Sequence, residues 1–203
     1  MTKEEIKEKI LAYGSDSLWV FGGRYEGGIN LQQVPHEITE LFNFLQSTNT
    51  KFENFLEVGC AAGGNTFAFN DFFNFSNVVL IDDNNHPKHT LRKDILKNVK
   101  YTEFVGNSQS VEAKSFVEFL DIKFDLMVID ADHSYQGVKN DTQNFIEFLN
   151  KGGYLIFHDT EICDGVKAWS NELKNGFLKD IEFVANYVNH ERPLCGLGIF
   201  KKL

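Results

Sequence analysis

Residues 55–66 read F-L-E-V-G-C-A-A-G-G-N-T: an apolar strand, a glycine-rich turn and the start of a helix. Such a run is the βα junction of a parallel sheet, because a strand buried on both faces needs no polar alternation. Gly59, Gly63 and Gly64 allow positive φ and a close approach of ligand to backbone. The helix opening near Gly64 presents unpaired N–H groups to an anion. A dinucleotide fingerprint needs G-x-G-x-x-G, whose second glycine makes room for pyrophosphate. Ala61 stands in that place, and Glu57 at the strand end would repel phosphate.

Outward from this junction the pattern repeats. Apolar strands at 54–58, 78–82, 101–105, 124–130 and 153–158 alternate with helical patterns near 64–74, 87–97, 110–120, 137–149 and 164–174. Alternating βα units predict an α/β fold, a doubly wound, mostly parallel sheet with helices on both faces. Residues 181–189 and 196–202 break the alternation and read as a closing antiparallel hairpin. Thr2 and Glu5 have capping-box spacing for a first helix to about Tyr13. Residues 35–47 are amphipathic, with Ile38, Leu41, Phe42 and Leu45 on one face. Between them, 14–33 is glycine-rich and holds Trp19, Arg24, Tyr25 and Gln32, which makes it a candidate lid.

The chain has 203 residues, 42% hydrophobic and 24% charged, so it reads as one globular domain. Residues 1–50 supply helices and lid, and 51–203 the core. The 20 Phe residues are read as packing. A net charge of −9 disfavours nucleic acid or an anionic membrane as partner. A small-molecule acceptor is the expected partner, and a homo-oligomer is compatible with the sequence. Cys60, Cys163 and Cys195 show neither metal spacing nor a disulfide framework, the opening residues are not a signal region, and no run is long enough to span a membrane. A cytoplasmic location is expected.

Residues 124–141, F-D-L-M-V-I-D-A-D-H-S-Y-Q-G-V-K-N-D, bring Asp130, Asp132 and His133 to the end of a buried strand. In open α/β sheets ligands bind at the carboxyl ends of the strands. Asp82, or its neighbour Asp83, ends the second strand and suits two ribose hydroxyls. Asn107, Ser108 and Gln109 follow the third strand, where they can meet an adenine edge. With Glu57 and Ala61 arguing against a dinucleotide, a ligand with a positive centre fits better. S-adenosylmethionine (SAM) has a sulfonium and an ammonium, with a carboxylate for the helix N-terminus. Glu57, Gly59, Gly63, Asn65, Thr66, Asp82, Asn107, Ser108, Gln109 and Asp130 are the candidate cofactor contacts. Asp132 orients the His133 imidazole or, the favoured reading, caps the next helix, and Tyr135 is read as facing cofactor, substrate or core.

The succession E-V-G-C-A-A-G-G-N-T, L-I-D-D, G-N-S-Q, D-A-D-H-S-Y and G-G-Y-L-I-F-H-D-T over about residues 35 to 203 resembles class I SAM-dependent methyltransferases. The last two motifs are similar to a bacterial branch with macrolide-sugar O-methyltransferases and cephalosporin-hydroxylase-type proteins. The resemblance implies strand order 3-2-1-4-5-7-6, a divalent cation (Mn²⁺ or Mg²⁺) on Asp130, His158 and Asp159, and His133 as base, with Asp130 and His133 at the catalytic centre. His158 stands where those relatives have an acid, which favours Mn²⁺ or Fe²⁺ over Mg²⁺. Thr160 is a further oxygen ligand or substrate contact. The branch implies O-methylation of a hydroxylated or phosphorylated glycosyl or nucleotide-linked metabolite, in surface-polysaccharide or secondary metabolism. A metal-independent methyltransferase with the same base, a nicotinamide-dependent oxidoreductase and a non-catalytic cofactor-binding protein are the alternatives.

Overall fold

The computed structural model describes residues 1–14, 28–189 and 195–203. Helices α1 (Lys3–Tyr13) and α2 (Pro35–Ser47) precede an alternating core. That core runs β1 (Asn54–Val58), α3 (Gly64–Phe73), β2 (Asn77–Asp82), α4 (Arg92–Ile95), β3 (Thr102–Val105), α5 (Val111–Leu120), β4 (Phe124–Ile129), α6 (Tyr135–Phe145), β5 (Leu149–His158) and α7 (Asp164–Lys174). Strands β6 (Ile181–Tyr187) and β7 (Leu197–Lys202) close the chain. The sheet order is β3-β2-β1-β4-β5-β7-β6, as the motif succession implied. All pairs are parallel except β5·β7 and β6·β7. Strand order reverses between β1 and β4, and a crevice opens at such a switch point.

Period-two alternation sends side chains of one strand to two cores. Phe55, Leu80, Val128 and Ile156 pack with α1, α2 and α3, while Leu56, Val58, Ile81, Met127, Ile129 and Phe157 pack with α5, α6 and α7. The first core is built from rings. Phe42 meets Phe69 edge-on at 4.8 Å, and Phe55 stacks between Phe69 and Phe75 at 5.0 and 4.9 Å. Full burial of one such ring stabilises by about 1.5–3 kcal/mol, and all four apolar residues singled out in 35–47 are buried. The packing role expected of the phenylalanines holds, with Phe119 the clearest exception on the surface. The capping box of Thr2 and Glu5 is formed.

Three boundaries differ from expectation. The segment 87–97 is not one helix but a 3-10 turn, His89–Leu91, followed by the single turn α4. Arg92, the first residue of α4, is drawn inward beneath the glycine loop. Helix α6 starts earlier and stops at Phe145 because a 3-10 turn, Ile146–Phe148, leads directly into β5. Strand β5 then begins at Leu149 rather than 153, taking up a register shift against β4 between Phe124 and Leu126. Trp19, Arg24 and Tyr25 of the expected lid lie outside the described residues, as do 190–194 of the hairpin connection. No helix among the described residues is long and apolar enough to cross a membrane.

Candidate active site

The glycine loop is fastened from below. Gly59 has φ +83°, and a Cβ there would lie 2.3 Å from the Asp130 carbonyl oxygen, so β1 and β4 approach closely only because it is glycine. Glu57, 1% exposed, accepts from Asn65 Nδ2 at 2.7 Å and from the Thr66 hydroxyl. Burial pushes its carboxyl up to about 7 in spite of those bonds. Glu57 therefore clamps the first turn of α3. Thr66 is spent on that clamp and does not line the cleft; Gly63 also lies off it, turned toward Leu96 and Arg92. These two expected contacts fall away for that reason.

Asp82 is equally occupied. Its Oδ2 accepts from the amides of Cys60 and Ala61 at 2.8 and 2.9 Å, and its Oδ1 accepts from Asn84 N at 2.8 Å. Arg92, 3% exposed, pairs with Asp82 at 2.8 Å and donates to Ala61 O at 2.9 Å, to Asn84 Oδ1 at 3.0 Å and to Glu103. Burial opposes the Asp82 charge, but Arg92 and the amides hold its carboxyl below the usual range. Ala61, with φ +42°, is thus gripped on both its N–H and its carbonyl. Exposed Asp83 also lines the cleft and accepts from the backbone and side chain of Asn85.

The loop after β3 is tied to its neighbours. Asn140 donates to Gln109 Oε1 and Asn144 to Ser108 O, both at 3.1 Å, while Gln109 donates to Asp132 Oδ2 at 3.1 Å. Asp132 is not the cap of α6; Ser134 is, accepting from Gly137 N, and Asp132 forms the turn before it. Tyr135 turns away from the cleft to Trp169 and donates its hydroxyl to Glu172.

At the ends of β4 and β5, four side chains converge. Asp130 Oδ1 is shared by His133 Nε2 at 3.1 Å and His158 Nδ1 at 3.3 Å. Asp159, itself left-handed at φ +61°, approaches His158 at 3.4 Å and His133 at 3.6 Å. Non-glycine residues in that conformation are held by surrounding structure and gather at functional sites. Burial works against the Asp130 charge, yet the two imidazoles keep its carboxyl well below the usual range. The Asp130 hydrogen bond raises His133, against its partial burial; burial alone would lower His158, but the Asp130 charge lifts it well above the usual value. His133 is the more open imidazole, its side chain 39% exposed against 8% for His158.

Glu37 and the turn at 195–196 support the β5 end. The fully buried Glu37 carboxylate accepts from Asn189 N and Gly196 N, both at 2.9 Å. Gly196 (φ +84°) and Cys195 in turn accept from Thr160 N and Glu161 N at 3.3 and 2.9 Å. Thr160 is 2% exposed and donates to Asn186 Oδ1 at 2.7 Å, so it is neither free for a metal nor in the cleft.

These elements enclose one cleft of about 990 Å³, within reach of a cofactor-sized ligand. Eight expected contacts line it: Glu57, Gly59, Asn65, Asp82, Asn107, Ser108, Gln109 and Asp130; so do His133, His158 and Asp159. Asn30, Gln32, Gln33, Asn85 and His86 also line it, and of these the sequence had marked only Gln32. Arg92 and Glu37 gave no signal at all, being one arginine in a charged stretch and one acid in a first helical turn.

The donor chemistry suits a divalent cation, though not in the expected set. His158 Nε2 is buried and, among the described residues, makes no hydrogen bond. Among the described residues, ligand atoms gather within 4.8 Å of one another in two groups, His133–Asp159–Cys163 and His158–Asp159–Cys195. Asp130 belongs to neither group; its Oδ1 lies between the two imidazoles.

Residues 56–160 match the family described as "Methyltransferase domain". An uncharacterized protein of Acanthamoeba polyphaga mimivirus is 27% identical over 130 residues, 58% of this chain, and the chain spans only 58% of that relative. Among solved structures, the O-methyltransferase TomG of Streptomyces achromogenes, involved in tomaymycin synthesis and in complex with SAM, is 13% identical with a TM-score of 0.65, covering 100% of this chain and 99% of its own. The N-methyltransferase NodS of Bradyrhizobium japonicum, in complex with S-adenosyl-l-homocysteine (SAH), is 17% identical with a TM-score of 0.63, at 100% and 99% coverage. At such identities the likeness is one of fold.

Proposed function

The chain belongs to the methyltransferase domain family, and on that premise we propose that it transfers a methyl group from SAM to a hydroxyl of a small metabolite, with His133 as base. The observation that carries this reading is the meeting, in one cleft, of the glycine loop with the Asp130–His133–His158–Asp159 cluster. SAM, when bound, supplies a methyl group activated by a sulfonium. Gly59, Gly64 and Asn65 offer backbone and amide groups to its amino-acid end. Asp83 suits the ribose better than Asp82, whose oxygens are taken, and Asn107–Gln109 suit the adenine. SAM or SAH in the solved relatives supports this assignment.

Positioning is the main requirement of an in-line displacement. His133, open to the cleft and oriented by the Nε2–H bond that it donates to Asp130, takes the acceptor proton at its other nitrogen, Nδ1, as the hydroxyl attacks. Asp159 steadies the resulting imidazolium from 3.6 Å. A divalent cation, when bound, supplies charge that lowers the acceptor pKa; His158 and Asp159 would hold it, with Asp130 beside them. A metal-independent version is favoured by one observation: two imidazoles already face two carboxylates at 3.1 to 3.6 Å.

Among the described residues the cleft is lined by six carboxylate residues and by no lysine or arginine. A neutral, hydroxyl-bearing acceptor such as a glycosyl unit suits it better than a phosphorylated one. This agrees with the sugar O-methyltransferase branch that the motifs resemble, and a place in surface-polysaccharide or secondary-metabolite assembly follows from that branch. The test is transfer of labelled methyl from SAM to a panel of glycosides and nucleotide sugars, with Mn²⁺ or with chelator. Labelled product that disappears in His133→Ala supports the reading, and survival of activity in chelator selects the metal-independent form. Full activity in His133→Ala would remove the base.

A further inference from the structure

We propose that His158, Asp159 and Cys195 form the binding site of a divalent cation of the zinc class, with the Cys195 thiolate as a ligand. The proposal rests on the metal-assisted reading and changes both the ligand set and the metal. One nitrogen of His158, one carboxylate oxygen of Asp159 and Cys195 Sγ lie within 4.8 Å of one another. The second observation is His158 itself: the residue is 7% exposed, and among the described residues its buried Nε2 completes no hydrogen bond, while the Cys195 thiol is near enough to act on the imidazole. An unpaired buried nitrogen costs free energy that a bound cation would recover.

The fold explains why a thiol stands there. β5 and β7 pair antiparallel with His158 opposite Leu197, so the chain two residues before Leu197 runs alongside the turn after β5. Cys195 O accepts from Glu161 N at 2.9 Å, and the next amide, Gly196 N, is held by buried Glu37 at 2.9 Å. Such outer support fixes ligands before the metal arrives. The rival group, His133–Asp159–Cys163, lacks this support: its members are all partly exposed, and Cys163 Sγ already leans on Asp159 Oδ2 at 3.8 Å.

Thiolate, imidazole and carboxylate together select Zn²⁺, Co²⁺ or Fe²⁺ and not Mg²⁺, which prefers oxygen alone. Ligation releases the Cys195 thiol proton to solvent, and the thiolate and Asp159 balance the dication. His158 and Asp159 line the cleft, so a cation they hold is within reach of the acceptor. Residues that sequence spacing could not connect, His158 and Asp159 at the end of β5 and Cys195 just before β7, thereby become one site.

Co²⁺ titrated into metal-stripped protein reads this directly and needs no acceptor. The parent and Cys163→Ser should develop the near-ultraviolet thiolate-to-cobalt band, and a large excess of Mg²⁺ should not displace it. Cys195→Ser and Cys195→Ala should lack the band and bind Co²⁺ about 10- to 100-fold more weakly, a loss that even outer partners produce. SAH binding equal to the parent's identifies which of the two variants is folded. Persistence of the band in a folded Cys195 variant overturns the proposal. Co²⁺ bound by the parent without the band also overturns it, while leaving a metal-assisted reaction standing. No Co²⁺ binding at all removes both.

Discussion

Glu57→Gln isolates the buried carboxyl beneath the glycine loop. Burial lifts that carboxyl from 4.5 to about 7, outweighing the bonds from Thr66 and Asn65, and the nearby Asp130 charge adds to the rise. A carboxyl with a higher pKa folded than unfolded keeps its proton better in the folded chain. Its contribution to stability is therefore complete below about 4.5 and is lost as pH rises through about 7. The rise corresponds to about 3 kcal/mol, at about 1.4 kcal/mol per pH unit. No solvent discount applies, since Glu57 is 1% exposed. Glutamine keeps the acceptor for the Thr66 hydroxyl, and a flip of Asn65 turns its unpaired Oδ1 toward the new amide. Urea unfolding of parent and variant between about pH 4.5 and 8 gives the difference curve, in which Asp82, Asp130, His133 and His158 cancel. The parent should lose about 3 kcal/mol relative to Glu57→Gln across that window. Parallel curves would refute a buried, proton-holding Glu57.

Gly59→Ala places a Cβ 2.3 Å from the Asp130 carbonyl oxygen at φ +83°, and thermal melting should show a loss of more than about 2 kcal/mol. Arg92→Met leaves Asp82 unpaired beneath the loop; stability should fall by about 3–5 kcal/mol in urea melts, and calorimetry should show weaker SAH binding. His133→Ala should cut methyl transfer by about 100-fold or more without changing SAH affinity, as measured by single-turnover kinetics beside calorimetry. A matched loss of SAH affinity would place His133 against the cofactor.

The sheet was legible because buried parallel strands write themselves as apolar runs, and the glycine turn marks the first of them. Where local and tertiary forces compete, the boundaries moved. The helix expected over 87–97 is reduced to a 3-10 turn and the single turn α4, whose first residue, Arg92, is buried against Asp82 and Ala61. Asp82, Asp130 and His133 were visible from their position at strand ends, and His158 and Asp159 through the resemblance of their motif. Their partners were not. Glu37 meets Gly196 from 159 positions away, and Cys195 reaches His158 only through the β5·β7 pairing. Asp82 shows the other side of this: its place at the end of β2 was readable, but not that two amides and Arg92 would already occupy it.

Titration calorimetry of SAH into the parent protein tests the S-adenosyl cleft most directly. One saturable site per chain, weakened by Arg92→Met and indifferent to His133→Ala, is the expected result. No heat with SAH, and a saturable response to NAD⁺ in its place, would contradict the account at its base.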